Sequence, residues 1–321
     1  IGNIDTQRWE DIWNSDSAIE IRRSIIDGDY TYCSRLLCPK IQNGQLLKKK
    51  DVKDPFFLNA IDKREFVLSA GPREYVLGHD LSCNFSCPSC RKEKFNLSKD
   101  EEKRFSLIKD NVVMPILKHA KLFMLSGSGE FCVSRHCLEI LKLLTLKEYP
   151  GLKISILTNG ILFTEALWQE FANIHDMLEE INVSVDAVNA HTYHDLRIGG
   201  NFKRLMGNLQ FFSVLKKTGK IKKFVINMIV QKANFLEMKK FVEMGNVLGC
   251  DQITFSRITN WGCFSPDKFR EIDIVSPLHL EHGKFLDILR DPVFKNKNVD
   301  LYNIYRFWEE ENFMDTMAGK E

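Results

Sequence analysis

From about residue 73 onward, short apolar runs alternate with longer stretches whose apolar residues recur at helical spacing. The runs Glu74–Gly78, Lys121–Leu125, Lys153–Leu157, Glu180–Val185, Phe224–Val230 and Gln252–Phe255 carry the β-branched and aromatic residues that predict strands. Helices are expected between them. Ser98 and Glu101 form a capping box ahead of Phe105, Leu107 and Ile108, and Asn234 with Glu237 form another ahead of Met238, Phe241 and Val242. Gly249 stands where a helix end takes a left-handed residue. A strand followed each time by a helix implies parallel strands, right-handed crossovers and a sheet covered on both faces. The expected fold class is α/β, a partial (β/α)6 TIM-type barrel of parallel strands with a small irregular N-terminal appendage.

Residues 1–54 lack this alternation. They hold Trp9 and Trp13, a helical stretch from Ser15 to Ile26 stopped by Gly28, Cys33, Cys38-Pro39, and the lysine run Lys48–Lys50, read as a solvated linker. The division expected is 1–54 as an auxiliary segment, 55–72 as a linker, 73–291 as the barrel and 292–321 as a C-terminal segment. That last segment carries Tyr302, Tyr305, Phe307 and Trp308 beside Glu309–Glu311 and is expected to pack on the barrel.

Composition narrows the classes. Among 321 residues, 44% hydrophobic and 11% aromatic content supports a filled core and excludes a mainly disordered chain. Lys and Arg total 45 against 43 acidic residues, so a formal charge of +2 gives no field to attract nucleic acid or a membrane surface. Apolar runs such as Ile154–Leu157 or Val112–Leu117 fall well short of the ~20 residues that span a bilayer. No export signal is seen, and a cytoplasmic location is expected from the thiol chemistry, which needs reducing surroundings, and not from any address signal. Nine cysteines in such a chain read as thiols or metal ligands before disulfides, and the isolated Cys137 and Cys250 read as small buried side chains.

The chemistry concentrates just after the first strand, where Cys83, Cys87 and Cys90 stand in C-x-x-x-C-x-x-C spacing. A structural zinc ion takes four ligands; three thiolates in one tight loop suit an iron–sulfur cubane with one iron left open. Ligands in parallel α/β folds gather at the carboxyl ends of strands. There the sequence reads Ser126-Gly127-Ser128-Gly129-Glu130, Thr158-Asn159-Gly160, Ser184-Val185-Asp186-Ala187 and the SRITNWGC segment. Glycines permit close approach of backbone to a ligand, an ammonium needs oxygen acceptors, and short polar side chains hydrogen-bond ribose hydroxyls or a carboxylate.

The cysteine spacing and these junctions, in this order, resemble the radical S-adenosylmethionine (SAM) superfamily across residues 73–291. The resemblance implies a [4Fe-4S] cluster on Cys83, Cys87 and Cys90. In that superfamily the free iron chelates the amino and carboxylate groups of SAM, and reductive cleavage yields a 5′-deoxyadenosyl radical that abstracts hydrogen from substrate; the resemblance implies the same here. It implies that Ser126, Gly127, Ser128, Gly129 and Glu130 meet the SAM amino group. Thr158, Asn159, Ser184 and Asp186 would serve ribose or carboxylate, Arg197 the carboxylate, with surface salt bridging its alternative, and Asn227 on the fifth strand is a further polar contact. Many members carry an aromatic residue before the third cysteine to flank adenine; here it is Ser89, whose backbone is left to contact the base.

The N-terminal stretch with Cys33 and Cys38 resembles the latter part of a SPASM-type domain, which holds auxiliary iron–sulfur clusters, here placed before the barrel. Three readings stay open for the two cysteines: ligands of a cluster whose other ligands lie outside this sequence, ligands joined by a distant barrel cysteine, or ordinary thiols. Cys263, just past the sixth strand, is a candidate hydrogen-atom donor to a substrate radical, and Cys132 a lesser one. His191 and His194 read as a polar helix start and not as a metal pair, and Trp261 as a wall of the substrate mouth. The expected substrate is a ribosomally made peptide or, alternatively, a carbohydrate, nucleoside or other small metabolite. A flavodoxin or ferredoxin is expected as reductant, with no nucleic-acid or membrane partner. A non-enzymatic zinc- or iron-binding scaffold is the reading of another class, and it leaves the polar strand-end junctions without a use.

Overall fold

A computed structural model describes residues 1–34, 38–42, 44–125 and 128–304. Among these residues seven strands make one sheet: β1 (Glu74–Leu77), β2 (Leu122–Leu125), β3 (Lys153–Thr158), β4 (Leu178–Ser184), β5 (Lys223–Val230), β6 (Gln252–Arg257) and β7 (Val299–Asp300). Their order in space is their order in sequence, and every neighbouring pair is parallel. When right-handed crossovers never reverse direction, all helices fall on one side and the sheet curls as part of a barrel; a doubly wound sheet needs a reversal. The first six strands form where the apolar runs predict them. The two-residue β7 was not predicted, because so short a strand has no readable alternation.

Alternation along each strand divides the sheet into two unlike faces. Ile154 and Ile156 on β3, Ile181 and Val183 on β4, Phe224, Ile226 and Met228 on β5, and Ile253 and Phe255 on β6 are buried in one core with helix residues such as Leu209, Phe212, Phe241 and Val242. The other face is largely polar: Glu180, Asn182 and Ser184 on β4, Lys223 and Asn227 on β5, Gln252 and Thr254 on β6, all half-buried. Some of these groups bond across strands, Asn227 Nδ2 to Asn182 Oδ1 at 2.7 Å and Lys223 Nζ to Glu180 at 2.9 Å, which leaves the amides and hydroxyls with further hydrogen-bonding capacity. The expectation of two covered faces is thus corrected. Helices cover one face, and the face opposite them is built to hydrogen-bond.

The Ser98/Glu101 capping box is present in both its bonds, and Gly249 ends the helix Met238–Leu248 with φ 74°. Asn234 and Glu237 do not cap as expected. Asn234 Oδ1 accepts Gln231 N–H, and its Nδ2 donates to the carbonyls of Asp186 and Ile229, each at 2.9 Å. Glu237 accepts Val188 N–H at 2.6 Å and the Asn189 side chain. Both residues fasten the loop after β4 to the end of β5.

At the N-terminus, Ser15 caps the helix Asp16–Asp27 and Gly28 closes it with φ 79°. Trp9 is buried beside His119, and Trp13 Nε1 donates to the Ala70 carbonyl at 2.9 Å. The stretch 55–72 is more than a linker: it contains the helix Pro55–Lys63, which Asp54 caps by accepting Phe56 N–H. Toward the C-terminus, Ile304 is buried against the core, while Tyr305, Phe307 and Trp308 lie outside the described residues. Among the described residues no helix is long and apolar enough to cross a membrane.

Candidate active site

The segment after β1 contains no regular element until Lys99, so its shape comes from individual bonds. Asp80 accepts Ser82 N–H at 2.8 Å and the Ser134 hydroxyl. Cys83 N–H donates to the Phe95 carbonyl, Ser86 N–H to the Ile198 carbonyl, and Cys90 and Arg91 N–H both to the Cys87 carbonyl. Phe85, 1% exposed, anchors the loop in the core. Cys87 is buried, Cys83 partly so and Cys90 exposed.

One cleft is lined by Cys83, Cys87 and Cys90 together with Phe85, Arg91, Gly129, Glu130, Leu157, Thr158, Asn159, Ser184 and Arg197. The ends of β1 to β4 therefore meet the cysteine loop. Of the residues predicted for cofactor contact, Gly129, Glu130, Thr158, Asn159, Ser184 and Arg197 line this cleft. Ser89, Ser128, Asp186 and Asn227 do not, and Ser126 and Gly127 lie outside the described residues.

Those outside the cleft have other partners. Asp186, with φ 66°, accepts Ile229 N–H at 2.7 Å on one carboxylate oxygen and pairs with Arg197 Nη2 at 2.8 Å on the other. It acts on the cleft through Arg197. Asn227 is bonded to Asn182, and the Ser128 carbonyl accepts from Arg91. The alternative of a surface salt bridge for Arg197 is corrected: the pair is buried, with side-chain exposures of 13% and 5%.

Glu130 is the hub. Its carboxylate accepts the Thr158 hydroxyl and Asn159 N–H, each at 2.7 Å, and its own N–H donates to the Ser82 carbonyl at 2.7 Å. Burial pushes the Glu130 carboxyl upward against these bonds. Asn159 Nδ2 in turn reaches Asn84 Oδ1 at 2.8 Å. The role expected of Gly129 changes too: a Cβ there would meet the carbonyl oxygens of Asp80 and Ser82 at 2.5 and 2.6 Å. The glycine admits the cysteine loop itself, not only a ligand.

Sequence reading missed Arg91 and Tyr193. Arg91 Nη2 lies 3.4 Å from Cys90 Sγ, and Arg197 Nη1 lies 3.7 Å from Cys87 Sγ. Tyr193 is fully buried one turn before Arg197. Arg91's place next to the third cysteine was the available signal; Tyr193 offered none.

The remaining candidates stand apart. Cys263 is partly buried in a loop that Asn260 shapes by accepting Gly262 and Phe264 N–H, and it does not line the cleft. Cys132 bonds to Glu130, and burial raises its thiol well above the usual range. Cys33 and Cys38 N–H groups donate to the Tyr30 and Ser34 carbonyls. Among the described residues no three His, Cys, Asp or Glu side chains are disposed around a single metal ion. His191 pairs with Asp195 at the surface, and Trp261 is 76% exposed.

The residues of the cleft fit an iron–sulfur cluster. Burial pushes the Cys83 and Cys87 thiols up, and Arg91 and Arg197 oppose it at the two sites respectively; metal binding removes those protons outright. Phe85 N–H, Arg91 and Arg197 each direct a donor at a cysteine sulfur. Tyr193 Oη and Arg197 Nε are buried with no protein partner among the described residues.

Comparison with known proteins agrees. Residues 81–244 match the family described as the radical SAM superfamily, and the chain belongs to it. It is an enzyme whose cofactors are those of the superfamily, a [4Fe-4S] cluster and SAM. Probable GTP 3′,8-cyclases from strains of Saccharolobus islandicus are 26% identical over 176 residues, covering 53% of this chain and 52% of theirs. The chain spans about half the length of these curated relatives. Among solved structures, Streptococcus suis SuiB bound to its precursor peptide SuiA aligns with TM-score 0.50 and 16% identity, covering 88% of this chain and 61% of SuiB. anSMEcpe with bound AdoMet and the Cp18Cys peptide aligns at TM-score 0.43 and 21% identity, covering 61% of this chain and 52% of that one. The likeness to SuiB speaks to the fold.

Proposed function

We propose that this protein cleaves SAM reductively and uses the resulting radical to abstract hydrogen from a peptide substrate. One observation carries the reading: three cysteines and the polar ends of β2, β3 and β4 line a single cleft. When bound, the cluster and SAM supply a 5′-deoxyadenosyl radical, and the protein's share is to orient and exclude water. Cys83, Cys87 and Cys90 are the thiolate ligands. Glu130 holds the β3 junction in place, and Ser184 and Asn159 present polar atoms at the cleft wall. Arg197, held by Asp186, keeps positive charge at Cys87.

A peptide is favoured because the sheet face leading from the cleft presents amides and hydroxyls, Asn182, Asn227, Gln252 and Thr254, suited to peptide N–H and C=O groups. SuiB, whose fold this chain shares, is bound to a precursor peptide. The match to probable GTP 3′,8-cyclases supports the second reading, a nucleotide or other small metabolite.

Three finer roles belong to the same proposal: Cys263 as hydrogen-atom donor, Cys33 and Cys38 as ligands of an auxiliary cluster, and a low-potential flavodoxin or ferredoxin as reductant. Anaerobically reconstituted protein given SAM and dithionite is expected to release 5′-deoxyadenosine. Release should rise with the right substrate and vanish in Cys83→Ala, Cys87→Ala and Cys90→Ala. Recovery of zinc with no 5′-deoxyadenosine would overturn the reading. Cys263→Ala with undiminished product ends the donor role, and Cys33→Ala with unchanged iron per chain ends the auxiliary cluster.

A further inference from the structure

Two of the three cleft sulfurs each have a guanidinium beside them, and neither arginine is a loose surface charge. Arg91 Nη2 sits 3.4 Å from Cys90 Sγ and 2.5 Å from the Ser128 carbonyl, while Nη1 donates to the Leu81 carbonyl. The Arg91 fork thus ties the cysteine loop to the loop after β2. Arg197 Nη1 sits 3.7 Å from Cys87 Sγ and Nη2 is 2.8 Å from Asp186, leaving Nε buried without a partner among the described residues. The backbone brings it there: Arg197 N–H donates to the Tyr193 carbonyl at 2.7 Å, and Ser86 N–H to the Ile198 carbonyl at 3.1 Å.

A guanidinium is always charged and cannot ligate iron. What it does next to a thiolate is favour extra negative charge there, strongly so when desolvated. Reducing an iron–sulfur cluster adds one negative charge, and net charge and hydrogen bonds at the sulfurs are among the terms that set its potential. The two arginines are not equivalent. Arg197 is neutralised in part by Asp186, whereas the oxygen partners of Arg91 are uncharged carbonyls.

We infer that Arg91 and, to a smaller extent, Arg197 are positioning residues that raise the reduction potential of the cluster held by Cys83, Cys87 and Cys90. The inference rests on the proposed reading that these cysteines hold that cluster. The step concerned is transfer of one electron from a low-potential one-electron donor to the oxidised cluster. No bond forms or breaks, and no proton moves.

The test is an anaerobic potentiometric titration of reconstituted protein, with the reduced cluster followed by electron paramagnetic resonance and iron counted for each variant. Arg91→Gln should lower the equilibrium constant for reduction about tenfold, a midpoint about 59 mV more negative for a one-electron couple. Arg91→Lys should restore most of it, and Arg197→Gln should shift it in the same direction by less. Midpoints equal to wild type in both Gln variants at full iron content overturn the inference. So does loss of iron in both, because the arginines then only brace the loop. If one Gln variant loses iron, the midpoint of the other decides. Wild-type protein that takes up iron and gives no reduced-cluster signal sinks the cluster reading itself, a result distinct from unshifted midpoints.

Discussion

Glu130 and Thr158 stand at the ends of neighbouring strands and share a buried hydrogen bond of 2.7 Å, with the second Glu130 oxygen taking Asn159 N–H. The carboxylate fixes the spacing between two walls of the cleft. Glu130→Ala leaves a buried hydroxyl and a buried N–H without an acceptor, and each such loss costs about 1–3 kcal/mol. We expect a loss of about 2–4 kcal/mol in urea unfolding and at least a tenfold fall in 5′-deoxyadenosine release. Glu130→Gln keeps one acceptor and should fall between. Wild-type stability in Glu130→Ala would show the network to be dispensable.

His79 and His136 face each other with Nε2 atoms 3.0 Å apart, packed against Phe105. Burial lowers both pKa values, that of His136 from 6.5 to about 4; Asp80 raises both, while Lys109 lowers His136 and Arg104 lowers His79. The folded protein therefore binds fewer protons than the unfolded chain between about pH 4 and 6.5. Stability is full above that window and falls as pH drops through it, by on the order of 2 kcal/mol. Urea midpoints at pH 7 and pH 5 should show the decline, and His136→Phe should flatten it. An equal slope in that variant would assign the decline to other groups.

How much of this was legible in the sequence follows from how far apart the partners lie. The cysteine loop, Thr158-Asn159-Gly160 and Ser184 could be read because each is a local pattern at the end of an apolar run. Arg197 could be placed near the site, but its bond to Asp186 and its approach to Cys87 depend on how strand ends meet in space. Asn234 and Glu237 misled for the same reason. Spaced as a capping box, they instead bond to Asp186, Val188 and Asn189, more than 40 positions away. The helix Pro55–Lys63 hid among linker-like charges, although Asp54-Pro55 is itself a helix-start signal.

Asp54 joins three elements. It caps that helix through Phe56 N–H, pairs with Arg73 before β1 at 2.9 Å, and pairs with Lys121 before β2 at 2.9 Å. Its pKa falls from 3.8 to about 2, with the Lys121 hydrogen bond the largest cause, burial opposing, and Arg73 and the Phe56 N–H adding to it. The stabilisation is thus complete above the unfolded value of 3.8 and disappears as pH falls through about 2. Asp54→Ala should cost about 1–2 kcal/mol at pH 7 and much less near pH 2. Asp54→Asn, which keeps the cap and loses both ion pairs, should recover part of the loss; no recovery would give the whole effect to the charges.

Gly129 sets the tightest constraint on the site. The two carbonyl oxygens that a Cβ would strike, those of Asp80 and Ser82, are backbone and cannot swing away as the tip of a side chain can. Ser82 is also the acceptor of Glu130 N–H and stands next to Cys83, so relieving the clash moves the first cysteine relative to Glu130. Gly129→Ala should therefore lower iron uptake and 5′-deoxyadenosine release together, with destabilisation of about 3 kcal/mol or more. Gly151→Ala is the control: it tests a left-handed glycine, φ 83°, with no described residue within 4 Å of its Cβ, ahead of β3 and so at the other end of that strand from the cleft. It should cost about 1 kcal/mol and leave iron content unchanged. Full iron loading in Gly129→Ala would mean that the loop tolerates displacement and that its position is not what holds the cluster.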